Sequence, residues 1–218
     1  NMGHHGIYGK GNGTFPLNMF DTSVKVPTLI SRPGRVPQGL VCEELLSHYD
    51  LMPTLMDYLG IDNPVHKDLP GHSFADILRG QGISSGNLSA RTAPIIIYDE
   101  YGPVRMIRTQ RWKYVHRYPY GPHELFELVN DPGERSNLID SPAHQCNVRE
   151  LKAGLEDWFV RFVDPMVDAT HEPVTGKGQL GLSGPAGQGE DNYSKDWHYL
   201  EKYARAAFPK PDQAITEE

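Results

Sequence analysis

The chain has 218 residues and carries a net charge of -7, from 21 Lys and Arg against 28 Asp and Glu. Hydrophobic residues make up 38% and charged residues 22%, which excludes a collagen-like or fully disordered chain and leaves enough for the core of one large domain or two small ones. The acidic balance argues against a partner bound by phosphate neutralisation, so no nucleic acid is expected, and no apolar run approaches the roughly 20 residues that span a bilayer.

The elements follow in chain order. Residues 1–14, NMGHHGIYGKGNGT, read as a Gly- and His-rich loop with no strand or helix leading in, the start expected of a piece cut from a longer protein. Val26 to Ile30 reads as a short buried strand with Pro27 at its start or edge and a turn at Pro33-Gly34. A helix is expected from Pro53, with Leu55, Met56 and Leu59 at helical spacing and Gly60 ending it. A second, short one runs through Leu78 to Gly80, with Ser73 to Asp76 as a variant capping box. Four short strands then follow at 95–98, 104–109, 112–117 and 124–128, close enough together for an antiparallel meander. Residues 147–163 form a helix with Leu151, Leu155, Trp158, Phe159 and Phe162 on one stripe. An extended loop at 164–192 precedes a last amphipathic helix at 194–207, with Ser194 as its N-cap.

Cys42 and Cys146 make neither a disulfide framework nor a zinc pattern and read as reduced, mostly buried thiols, with a single bridge between them left open. His4 and His5 are adjacent, which does not suit joint metal ligation from a regular element. Lys10 sits between two glycines, so a solvated loop lysine and a point-charge partner for sulfate or phosphate are both open. Asp50, just before a helix, reads as a cap or dipole partner. Arg105, Arg108, Arg111, Lys113 and Arg117 read as a solvated face of the small sheet, or as an anion-contacting one. Strand alternation sends Arg105 and Arg108 to opposite faces, in chiefly architectural roles. Three glycosylation triplets, at Asn12, Asn87 and Asn192, decide nothing.

Taken together and in order, several segments resemble the sulfatase family of the alkaline phosphatase superfamily. Gly3 to Gly11 is similar to that family's G-x-H-G-x-x-x-K block, and Val26-Pro27 with Pro33-Gly34 to its "R-V-P…P-G" stretch. Asp50-Leu51-Met52-Pro53-Thr54-Leu55 with Gly60, and Leu69-Pro70-Gly71-His72-Ser73, look like two further family segments. Lys113-Tyr114, Glu124 to Leu128, Asp131-Pro132-Gly133-Glu134 and Asn137-Leu138 resemble the C-terminal signature.

The resemblance implies a sulfate ester hydrolase that uses a formylglycine nucleophile and a divalent cation, usually calcium, acting on a sulfated small molecule or carbohydrate. It assigns Lys10 to the sulfate as a catalytic and substrate-binding residue, and His5 as a candidate substrate-side contact. Neither Cys42 nor Cys146 fits the formylglycine motif, and the metal ligands are expected outside this chain, so the piece alone is not expected to hydrolyse anything. The expected fold is α/β: residues 1–90 as the end of the catalytic domain, 91–163 as a C-terminal subdomain with a four-stranded antiparallel sheet and packing helix, and 164–218 as a loop and terminal helix. Within 1–80 the apolar side chains of Val26, Leu29, Leu55 and Leu59 are expected to stay exposed. A phosphonate or phosphate ester hydrolase of the same superfamily, or a non-catalytic binding protein with the fold, are the alternatives.

Overall fold

A computed structural model describes residues 3–8, 14, 17–63, 69–81, 93–99, 103–168 and 170. Four strands, β1 (Ile95–Tyr98), β2 (Val104–Arg108), β3 (Trp112–Arg117) and β4 (Glu124–Glu127), pair in sequence order. Every pairing is antiparallel, with Ile96 opposite Ile107, Ile107 opposite Tyr114, and Tyr114 opposite Leu125. That row is one face of the pleat, and the helix Gln145–Phe162 lies across it.

Leu155 and Phe159 are the buried positions of this helix, meeting Ile96, Ile107, Tyr114 and Leu125, with Leu151, Trp158 and Val148 closing the edges. The meander and the packing helix therefore stand as the spacing of apolar residues indicates, each boundary within two residues of the expected one.

The second sheet face is covered as well. Val104, Met106 and Val115 pack with Met19, and Leu17, Val24 and Ile97 close around them. Met19 precedes α1 (Asp21–Val24), a single helical turn. A strand buried on both faces loses its polar alternation, which is why β2 and β3 are buried along nearly their whole length.

Helix α2 (Leu51–Leu59) starts after a 3-10 turn at His48–Asp50. The Asp50 carboxylate accepts from the backbone N–H groups of Ser47 at 2.7 Å and His72 at 2.8 Å, so it both closes the capping box and ties in the 69–74 segment. Thr54 extends the tie: its hydroxyl donates to Asp50 O and accepts from Phe74 N. Gly71 passes so close that a Cβ there would lie 1.9 Å from Tyr49 O. At the far end Gly60 takes φ 70 and Ile61 N reaches Met56 O, a left-handed C-terminal cap. The short helix α3 (Ala75–Leu78) opens with Ser73 Oγ accepting from Ala75 N; Asp76 makes no capping bond but pairs with Arg79. In chain order the helix on the sheet is α4.

Two expectations are corrected. Residues 26–30 form no strand; no described strand lies beside them, and Leu29 is 97% exposed. Cys42 and Cys146 are free but exposed rather than buried, the second with its thiol 3.4 Å from Glu150 Oε1. The expected outward apolar surface is present: Val26, Leu29, Leu55 and Leu59 are all exposed, joined by Leu51 and Met52 on the same helix. The helix expected at 194–207 and most of the 164–192 loop lie outside the described residues. No helix among the described residues is long and apolar enough to cross a membrane.

Candidate functional site

The loop at 3–8 folds on itself. Gly3 and Gly6 take φ 90 and 72, and the chain closes through Gly3 N to Ile7 O at 3.0 Å and Ile7 N to His4 O at 3.0 Å. His5 itself lies in the left-handed region at φ 54. Its exposed ring stacks on Phe20 with centroids 3.7 Å apart and planes 3° from parallel. Phe20 in turn tilts against Phe126 on β4, so the loop is seated on the sheet through an aromatic pair. Lys10 lies outside the described residues.

Of the five basic residues Arg111 is exposed, as a solvated face requires, whereas the other four have a different environment from the one expected of them. Arg105, Lys113 and Arg117 are buried, and each of the five is paired with a carboxylate. Arg105 lies 3.6 Å from the ring centroid of Phe159 on the α4 face and binds Asp168 at 2.7 Å. Arg108, on the opposite face, grips Asp21 with Nε and Nη2. The two arginines do point to opposite faces. Arg111 pairs with Glu127, and Arg117 with Glu124. A guanidinium already neutralised by a carboxylate attracts a further anion weakly, so this cluster is a structural clasp.

At its centre Lys113 donates to Met19 O at 3.0 Å, to Asp21 Oδ1 at 2.5 Å and to Glu134 Oε1 at 2.5 Å. Burial works to raise the Asp21 carboxyl, but the bonds from Arg108 and Lys113 and their charges hold it below its ordinary value. Glu134 also accepts from Asp21 N at 2.7 Å. The signature residues downstream serve the same end. Asp131 accepts from the N–H groups of Arg135 and Ser136, and Asn137 accepts from Leu125 N, where β4 would otherwise have an unpaired edge. The spacing of this signature is thus the spacing of a fold lock, a role that local pattern did not reveal because Asp21 lies far away in sequence.

Among the described residues no three His, Cys, Asp or Glu side chains converge as a metal site.

A family model described as "N-sulphoglucosamine sulphohydrolase, C-terminal" matches residues 3–160. The chain is 32% identical over 157 residues to a Delta 4,5-hexuronate-2-O-sulfatase of Bacteroides thetaiotaomicron, covering 68% of this chain and 31% of that protein. It is 33% identical over 155 residues to a choline-sulfatase of Rhizobium meliloti, covering 69% and 28%. It also resembles a solved structure, a 2-O GAG sulfatase, at 29% identity and TM-score 0.42, over 63% of this chain and 31% of that one. The chain spans about a third of the length of the curated relatives it matches. The match over residues 3–160, from the folded glycine loop through the lock to α4, shows that the chain belongs to the N-sulphoglucosamine sulphohydrolase C-terminal family of sulfatases.

Proposed function

We propose that this chain is the C-terminal part of a sulfuric ester hydrolase whose nucleophile and cation ligands lie on polypeptide outside it. The observation that carries the reading is the family match over residues 3–160, which includes the glycine-flanked lysine block. The nucleophile in this reading is a formylglycine hydrate, and the cation, calcium, supplies charge to the sulfate oxygens when bound.

This chain's own contribution is the 3–11 loop. The Lys10 ammonium sits beside the sulfate and absorbs charge as the ester S–O bond breaks, while the flanking glycines let backbone approach the anion. His5, held flat on Phe20 with its ring exposed, offers a nitrogen to the substrate side. The substrate class is a sulfated small molecule or carbohydrate. The outward apolar side chains of 26–59 meet the rest of the catalytic domain.

The test is Lys10→Ala in the complete protein, assayed on aryl sulfate and aryl phosphonate esters. Loss of one preorganised cationic donor lowers kcat on the sulfate on the order of a hundredfold. Near-wild-type kcat with intact folding removes Lys10 from the site, and turnover of the phosphonate alone transfers the reading to phosphonate hydrolysis.

A further inference from the structure

Between β3 and β4 the chain makes the turn 118–123, and a group of titratable rings gathers under it on the α4 side of the sheet. His116 and His123 stack face to face, centroids 4.1 Å apart and planes 16° from parallel. His116 is buried and shares a 2.7 Å hydrogen bond through Nδ1 with the Tyr114 hydroxyl, and Tyr118 stands edge-on to it at 4.4 Å. His123 Nδ1 accepts from Arg117 N at 3.3 Å, which it does only while that nitrogen carries no proton.

Cations surround the pair. Arg105 stands opposite His116 in the register on β2 and Lys152 acts on both rings from α4, while Arg117, whose side chain reaches Leu17 O and Glu124, acts on His123 through its charge. The acidic groups nearby are committed or offset: Asp168 to Arg105, Glu124 to Arg117, while Glu156 on α4 acts on Tyr114 and Tyr118 and stands 3.6 Å from Lys152.

We propose that the stacked His116–His123 pair is an acid-sensitive latch that holds the turn 118–123 closed only while both rings are neutral. A proton on His123 Nδ1 replaces the acceptor of Arg117 N–H with a second donor, and two charged rings at 4.1 Å repel each other. The turn's other ties are the bonds that would give way: Tyr118 N to Pro103 O at 2.8 Å, Gly121 N to Arg117 O at 2.9 Å, and Arg117 Nη1 to Pro122 O at 2.6 Å. Tyr118 also lies under the Arg105 guanidinium, which is 5.1 Å from the Tyr118 ring centroid, so release of the turn reaches the Arg105–Asp168 pair and, through Asp168, Thr170 N.

Burial, then His123, Lys152 and Arg105, pushes the His116 imidazole down to about 3, and burial, then Lys152 and Arg117, lowers His123 too. The sign follows. A histidine whose folded pKa is depressed costs nothing above its unfolded value of 6.5 and costs stability progressively as pH falls below it.

The experiment uses the full 218-residue chain, following histidine ring resonances by NMR and the exchange protection of the Tyr118 and Gly121 amides between about pH 7 and about pH 5. The expected result is that both rings stay neutral in the closed state. Turn protection falls up to about tenfold per pH unit for each histidine, while Leu125 and Ile107 amides hold. His116→Phe and His123→Phe, which keep a flat ring without a titrating nitrogen, each remove one proton from that slope. Rings titrating near 6.5 with the turn still protected, a uniform loss across the sheet, or an unchanged slope in both variants would overturn the latch. Where a variant does not fold, the wild-type titration decides alone.

Discussion

Lys113 shows how much a single side chain can hold. Fully buried, it has Met19 O, Asp21 and Glu134 around its ammonium, and Glu134, itself 3% exposed, keeps a φ of 53 to reach it. Removing one partner of a buried pair leaves the other charge without compensation, at a cost of about 3–5 kcal/mol. Lys113→Met, which keeps the volume, is therefore expected to lower unfolding stability by that amount in urea titrations, and Lys113→Met with Glu134→Gln to recover a good part of it. A neutral single variant would show that the clasp contributes little. This role was not legible in the sequence. The run Trp112-Lys113-Tyr114-Val115 fits a half-solvated strand, and its partner Asp21 stands 92 positions away. His5 was legible as a loop histidine in a family block, but its seat on Phe20 depends on a positive φ that no periodicity reports.

An element is legible in the sequence where one periodicity meets one burial surface. In α4 the stripe of Leu151, Leu155 and Phe159 faces the sheet, as the i, i+4, i+8 spacing requires. Leu155→Ala should cost about 2–5 kcal/mol, since Ile107, Tyr114 and Leu125 close around that side chain from a rigid sheet. The same substitution at Val160, 86% exposed on the opposite side of the helix, should change stability by less than about 0.5 kcal/mol, and thermal unfolding of both variants checks the contrast. Residues 26–30 show the reverse case. Val-Pro-Thr-Leu-Ile has the composition of a buried strand, but a strand needs a neighbour to take its backbone hydrogen bonds, and none of the described strands lies alongside. The basic strands misled for a related reason: both faces of β2 and β3 are covered, so charge there marked ion pairs rather than solvent.

At the scale of the whole chain, the sheet and α4 bury between them a core drawn from Ile96 to Val163, whereas residues 25–61 turn Leu29, Leu51, Leu55 and Leu59 outward. Hydrogen exchange on the 218-residue chain should accordingly find strong protection in β2, β3 and α4 and weaker protection in α2; equal protection in both parts would contradict this division. The Lys113 clasp sets a limit on how such a protein could be recombined. Its ammonium comes from the sheet, one carboxylate from the turn after β4 and the other from α1, so the parts are matched by charge across a long stretch of sequence. A chimera that took α1 from one relative and the sheet from another would fold only where donor and recipient agree on all three groups. Where they disagree it would seal an ammonium or a carboxylate, uncompensated, inside the join.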